Sequence, residues 1–293
     1  MTKLRAESLE LSLGEVLYLL DRGIRDVQAS EGLAVDGIVG PNTRAALDRL
    51  LRALPGLPSG KGMFVRSVKH VGTIEAMLAR VEHVGLNWLA FQAIWQYASK
   101  KSSVWSGFVA HAKALRAAGR QCWVWGFPWP GREREFTEVM VSSALACGAG
   151  GLIVDAEAPY NDAPAAAPTL MNTLLPAARS AGLQVGLTSY GAPWNFNRFP
   201  WAAFAGVDFV IPQIYDIDNN QGPGYPQRSI AAYRGLGFTR VIPACPTFGK
   251  TAAQLTALHS AVAPTHGAIA WWDWYNSTQN PFTWEHLRAF ELP

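Results

Sequence analysis

Residues 121–157 read QCWVWGFPWPGREREFTEVMVSSALACGAGGLIVDAE, and the order of patterns in this stretch decides the fold. Gln121–Phe127 is an apolar, aromatic run of strand length, and Arg134–Cys147 spaces its apolar residues like a helix. Gly148–Gly151 ends that helix, and Gly151–Glu157 is a second apolar strand. Strand, helix and strand in this order make a βαβ unit, whose two strands run parallel. The only glycine-rich turn precedes a strand instead of following one. An open doubly wound sheet would need such a turn after its first strand to cradle phosphate.

Working outward, the alternation repeats in both directions. Further strands are expected at Met63–Ser67, Leu86–Gln92, Leu183–Ser189, Val207–Tyr215, Arg240–Thr247 and Ala268–Trp274. Helices are expected at Thr73–His83, Val104–Ala118, Ala165–Ala181, Trp201–Ala205, Pro226–Leu236, Thr251–Val262 and Thr283–Phe290, the Trp201 one being short. Eight units over residues 63–293 give the α/β class and a (β/α)8 TIM barrel, with chemistry at the C-terminal ends of its strands.

Upstream the texture changes. Ser12-Leu-Gly-Glu15 is a capping box before the apolar positions Val16, Leu17, Leu19 and Leu20. A second helix runs near Ile24–Ser30, and a third carries Ala46, Leu47, Leu50 and Leu51. Between them, Asp36-Gly37 is a turn dipeptide, Gly40-Pro41 a second bend, and Asn42 or Thr43 a helix cap. Residues 1–52 are therefore read as a small three-helix domain, 53–62 as a Pro- and Gly-rich linker, and 63–293 as the barrel. Asp36 through Leu47 resembles the peptidoglycan-binding domain of wall hydrolases, matching Asp-Gly-x-x-Gly-Pro-x-Thr-x-x-Ala-Leu at each specified position. Val27-Gln28 also falls where that family often carries a Val/Leu-Gln pair. That resemblance implies wall binding, while the Asp and Gly are accounted for by the turn itself.

Composition narrows the function classes. Of 293 residues, 49% are hydrophobic and 16% charged, which excludes a disordered chain. Scattered basic residues with a net charge of +3 suit an anionic polymer such as a wall but give no nucleic-acid patch. No apolar run reaches bilayer-spanning length, so no membrane insertion is expected. Met1–Arg5 is charged without a following apolar region. The expectation is a cytoplasmically made monomer that reaches the bacterial wall as a phage endolysin or an injected or exported effector. The three cysteines, Cys122, Cys147 and Cys245, sit in apolar settings and read as buried thiols. The six histidines never take metal-ligand spacing with a carboxylate, and no Gly-x-Ser-x-Gly elbow occurs. No metal or other cofactor is expected.

The strand ends carry the chemistry. Asp155 and Glu157 are two apart, which on one strand puts both on the inner face at the barrel mouth, about 7 Å apart. Two carboxylates this close resist ionising together, so one holds a proton near neutral pH, as a general acid must. Gln213 and Tyr215 share a face on another strand, followed by Asp216. Trp125, Tyr190, Trp272, Asp273 and Trp274 also fall at strand ends. With Gln213 and Asp216 they form the candidate substrate-binding set, since aromatic faces at a barrel mouth stack on sugar rings.

Gly-Leu-Ile-Val-Asp155-Ala-Glu157 is similar to the strand ending of two glycosidase groups on this barrel, the family 25 muramidases and the family 18 chitinase-like enzymes. Gln213-Ile-Tyr215-Asp216 resembles the Met-x-Tyr-Asp of family 18. Family 18 has two earlier aspartates where this chain has Gly150 and Ile153, and family 25 has a strand-1 aspartate that Phe64–Val71 lacks. The resemblance implies Glu157 as acid/base, Asp155 orienting a 2-acetamido group, and Tyr215 bonding its carbonyl. The strand ending Pro-Ala-Cys-Pro-Thr-Phe248 offers no carboxylate nucleophile, which favours attack by the substrate's own acetamido oxygen. Asp216 and Asp273 stand as alternatives for a second carboxylate. The expected function is a lysozyme-type N-acetylhexosaminidase that cuts peptidoglycan or a related glycan. The alternatives are a non-catalytic wall-glycan binding or scaffold protein and a chitinase-like hydrolase.

Overall fold

The computed structural model describes residues 24–25, 28–29, 34–40, 42–43, 56–99, 101–215, 224–262 and 267–292. The chain divides into two compact units, Met1–Leu54 and Pro55–Pro293.

In the first unit one side chain organises the described residues. Gln28 is 1% exposed, and its amide nitrogen donates to Asp36 Oδ1 (2.8 Å), Ile38 O (3.0 Å) and Thr43 Oγ1 (3.1 Å). Its Oε1 accepts from the Gly37 amide at 2.9 Å. Gly37 takes φ 76°, a left-handed value that costs glycine nothing. The Asp36 carboxylate accepts from Ile38 N at 2.8 Å, and that bond, then the one from Gln28, holds its pKa below the ordinary value. Asp36 and Gly37 are thus consumed in building the turn. The Ser12–Leu20 helix and the helical positions Ala46, Leu47, Leu50 and Leu51 lie outside the described residues.

The second unit contains strands β1 (Gly60–Val65), β2 (Trp88–Gln96), β3 (Ser102–Val104), β4 (Gln121–Phe127), β5 (Gly151–Asp155), β6 (Gln184–Tyr190), β7 (Phe209–Gln213), β8 (Ala244–Pro246) and β9 (Ala268–Trp272). Its helices are α1 (Ile74–Val84), α2 (Val109–Ala117), α3 (Glu133–Cys147), α4 (Ala158–Asp162), α5 (Ala167–Ser180), α6 (Tyr225–Gly235), α7 (Ala252–Val262), α8 (Trp274–Gln279) and α9 (Pro281–Ala289). Parallel pairing runs β1-β9-β8-β7-β6-β5-β4-β2, and β2 pairs back onto β1. This is a closed eight-stranded parallel barrel, the (β/α)8 fold. β3 is an antiparallel addition to β2, so Val104, expected to open a helix, belongs to a hairpin. The Trp201–Ala205 helix is a single 3-10 turn, Trp201–Phe204.

Two apolar layers follow from strand alternation. The outer layer packs residues such as Leu89, Phe91, Val124 and Leu152 beneath the helices. The inner layer fills the barrel with Phe64, Trp88, Trp123, Trp125, Ile153, Phe209 and Ile211. Rings of this size fit because small residues face them. A Cβ on Gly62 would lie 1.7 Å from the Trp88 indole, and one on Gly186 would lie 2.3 Å from the Phe209 ring. Gly60–Gly62, expected to end the linker, therefore belong to β1, where the missing side chain of Gly62 is what the barrel needs. Rings meet edge to face, as Trp123 and Phe209 do at 5.1 Å and 80°, the arrangement aromatic quadrupoles favour.

The ring closes between β1 and β9, where Gly60 N donates to Gly267 O at 2.7 Å. Beside that seam the Lys61 ammonium donates to Val84 O (3.0 Å), Leu287 O (2.9 Å) and Arg288 O (3.1 Å). One cation thereby satisfies carbonyls at the ends of both α1 and α9.

Candidate active site at the barrel mouth

β5 ends at Asp155, and the chain turns into α4 directly after Glu157. The connecting peptide is fixed on both sides. Ala156 N donates to Thr188 O at 3.1 Å, while Ser189 Oγ donates to Ala156 O at 2.6 Å. Glu157 is past the strand instead of within it, yet both carboxylates still converge. The proof is a shared partner on β7: Gln213 Nε2 donates to Asp155 Oδ1 at 3.0 Å and to Glu157 Oε1 at 2.7 Å. An amide nitrogen has two hydrogens, and each acid takes one.

Among the described residues no cation answers these charges. Asp155 is 3% exposed, and desolvation first, then the Glu157 charge and a hydrogen bond with Glu157, push its pKa well up. The Gln213 bond opposes this but does not reverse it. Asp155 is therefore the member of the pair whose surroundings favour its protonated form.

Tyr215 stands on the same side, partly exposed, its ring edge-on to Phe248 at 5.9 Å. Burial, then the charges of Asp155, Glu157 and Asp273, raise its phenol pKa, so it remains a neutral O–H donor. Among the described residues that hydroxyl makes no hydrogen bond, leaving it for a ligand. Tyr190 is half-buried, stacked on Phe196 at 3.4 Å and 4°, and its hydroxyl also finds no partner among the described residues. Desolvation and the Glu157 charge raise its pKa as well.

The aromatic candidates separate into a platform and its support. Trp272, at the end of β9, is partly exposed above the inner layer, 5.5 Å from Phe64 and 5.2 Å from Trp125. Trp125 is fully buried, and its indole N–H donates to Val65 O at 3.2 Å. It supports the Trp272 ring from below and cannot itself stack on a sugar, which corrects the sequence expectation. Trp274 is also corrected. β9 stops at Trp272, the Trp272–Asp273 peptide is cis, and Trp274 begins α8, 3% exposed against Trp284 at 5.1 Å. Asp273 is fully buried, caps α8 through Asn276 N (3.0 Å), and pairs with Arg66 Nε at 2.5 Å. A buried, paired acid is not free to attack a substrate. Asp216 lies outside the described residues.

Sequence reading missed Arg66. It follows Phe64 by two, so strand alternation points it to the same inner face, one step nearer the mouth. Its guanidinium lies 5.8 Å from the Trp272 ring and 5.3 Å from the Tyr275 ring. All three cysteines are free and buried. Among the described residues no three His, Cys, Asp or Glu side chains cluster as metal ligands, and no helix is long and apolar enough to cross a membrane.

Comparison with known proteins fits both units. Residues 19–47 match the peptidoglycan binding domain family. The matched segment thus precedes a barrel whose fold solved chitinases also have. A chitinase from Chromobacterium violaceum aligns with TM-score 0.58 and 11% identity over 78% of this chain and 98% of its own. The Bacillus cereus spore cortex-lytic enzyme SleL aligns with TM-score 0.59 and 12% identity over 97% and 86%. The tamarind chitinase-like lectin aligns with TM-score 0.51 and 10% identity over 78% and 98%. At such identity the likeness establishes the fold alone. No curated protein matches the sequence.

Proposed function

We propose that this protein is a glycoside hydrolase acting on N-acetylated glycan of the bacterial wall, with residues 1–52 as the wall-binding module, 53–59 as the linker and the remainder as the catalytic barrel. One observation carries the reading: two carboxylates at the barrel mouth held by one neutral amide, with no cation beside them among the described residues, so that burial and the neighbouring acid favour the protonated form of Asp155. The matched segment at residues 19–47 supports the choice of wall glycan as substrate.

Each group has a task. Trp272 supplies the face on which the reacting sugar stacks, and Tyr190 and Gln213 line the rim. Asp155 accepts from the substrate's acetamido N–H, and the proton of Asp155 then resides on Glu157. Tyr215 donates to the acetamido carbonyl and orients its oxygen towards the anomeric carbon. That oxygen forms the new C–O bond as the glycosidic bond breaks, and Glu157 gives its proton to the departing oxygen. Glu157, now a carboxylate, takes a proton from water as water opens the cyclic intermediate. Configuration is retained, and no second protein carboxylate is required.

The test is release of reducing ends from purified peptidoglycan by the full chain and by Glu157→Gln. The expected loss is about 10³-fold, within the range for a general acid. Solubilisation at more than a tenth of the wild-type rate in the variant would sink the assignment. Binding of wall by both proteins, with cleavage by neither, would make the barrel a binding scaffold. Delivery as an endolysin or effector is a proposal that leader-free expression in a host with and without a holin would decide.

A further inference from the structure

Beside the mouth, past the end of β1 and against the middle of β2, lies a cavity of about 150 Å³ whose lining includes Arg66, Ser67, Lys69, Gln92, Trp105 and Phe108. The acid/base pair is not part of it. Its lining holds two cations, a hydroxyl and a carboxamide, and no carboxylate. Gln92 is 6% exposed, and its carboxamide makes no hydrogen bond among the described residues. An amide so largely buried, yet open enough at its polar atoms to meet a ligand, gains from a partner that enters beside it. Arg66 gives its Nε to Asp273, and its terminal nitrogens make no hydrogen bond among the described residues. Arg66 and Lys69 together carry two positive charges against the one carboxylate of Asp273. One positive charge is left over.

We infer that this cavity is an anion subsite that receives the carboxylate of an acidic substituent carried by an N-acetylated sugar at the mouth. The inference rests on the glycan reading of the site. It names the substrate class: glycan bearing a carboxylate ether, such as a lactyl group, in preference to neutral chitin-like polymer. The chemistry fits at each wall. The Arg66 guanidinium presents planar N–H donors, for which a carboxylate is the matching acceptor. The Gln92 amide supplies a further donor, and the exposed Lys69 adds charge at the opening. Trp105 and Phe108 close the apolar side, against which the substituent's methyl group packs. The cavity admits a small substituent and not a second sugar ring. Arg66 also links the subsite to the platform, since the same guanidinium lies over the Trp272 ring.

The experiment is calorimetric binding to the full-length Glu157→Gln protein, which removes turnover. The probes are chitotetraose and a tetrasaccharide of equal length in which alternate sugars carry the lactyl ether. The expected preference for the carboxylated glycan is about tenfold, the scale of one charge-assisted hydrogen-bonded contact. In Lys69→Gln and in Gln92→Leu, both added separately to Glu157→Gln, that ratio falls about threefold or more, and raised salt narrows it further. Lys69 is exposed, so its variant tests the charge without risk to folding. Equal affinity for the two probes, no binding of either, or a ratio unmoved in both variants overturns the subsite. Cleavage is scored separately with the wild-type chain. Preference without cleavage would keep the subsite and reject the hydrolase, and cleavage without preference would do the reverse.

Discussion

Asp155 and Asp273 are both buried carboxylates at the same end of one barrel, 3% and 0% exposed, and their neighbours give them opposite lives. Asp273 has a guanidinium at 2.5 Å and a helix amide at 3.0 Å. Asp155 has a neutral amide at 3.0 Å and another acid. A cation makes a buried acid an ion pair, which holds architecture together. An amide satisfies its hydrogen bonds without satisfying its charge, so the proton stays mobile. Chemistry goes where the charge is left unresolved.

The comparison can be broken by moving the cation. Gln213→Arg would give Asp155 and Glu157 the partner that Asp273 already has, stripping Asp155 of its proton. Reducing-end release is expected to fall about 10²–10³-fold while folding is retained, and an active Gln213→Arg protein would refute the role assigned to that proton. The reverse change, Arg66→Gln, leaves Asp273 buried and unpaired. Denaturant unfolding should show a loss of about 3 kcal/mol, near the lower end for breaking a buried pair because Arg66 is partly exposed. Restoration by adding Asp273→Asn would sharpen the contrast.

Smaller effects remain. Gln28→Ala removes the amide that ties Asp36, Ile38, Gly37 and Thr43 together. It should cost the first unit about 1–2 kcal/mol and weaken pull-down of the full chain by purified wall, with barrel activity on soluble glycan unaltered. Asp155→Asn should raise the melting temperature by about 2–4 °C at pH 8, on the order of 1 kcal/mol for a domain of this size. The sign follows from linkage. The folded state lifts the Asp155 pKa above its ordinary 3.8, so its contribution to stability is full below that pH and lost as pH rises through the folded value. Asparagine has no proton to lose and can donate to Glu157 as the protonated acid does. The advantage should therefore vanish near pH 4, and a gain equal at both pH values would contradict the raised pKa.

Much of this was legible in residue patterns, and the exceptions have local causes. β4 has the boundaries that its sequence gives, because Gln121–Phe127 is bounded by a helix end and by prolines. The facing of Asp155 and Gln213 follows from period-two alternation on β5 and β7, whereas Glu157 reaches the same amide from the turn past β5. Trp271–Tyr275 misled, because aromatic residues on both sides of Asp273 leave no period to mark where a strand stops. The usable signal was Asp273, a helix-capping residue type in front of Trp274. Trp125 lies in the interior because Trp272 covers it, a long-range fact that no local window holds. Arg66 needed the correct parity of β1, and the glycines before it looked like linker until Trp88 explained them. β8 shrank to three residues since Pro243 and Pro246 have no N–H to offer a ladder.

The seam between β1 and β9 has a consequence for biosynthesis. A nascent chain that has emerged through α7 already holds Asp155, Glu157 and Gln213, but its first strand still lacks one neighbour. The proposed platform, Trp272, and the counter-ion of Arg66, Asp273, arrive only with β9, and Lys61 finds two of its three carbonyls only with α9. The ribosome must therefore finish nearly the whole barrel before a working mouth exists. A translation product cut short inside the producing cell carries the acids without the platform.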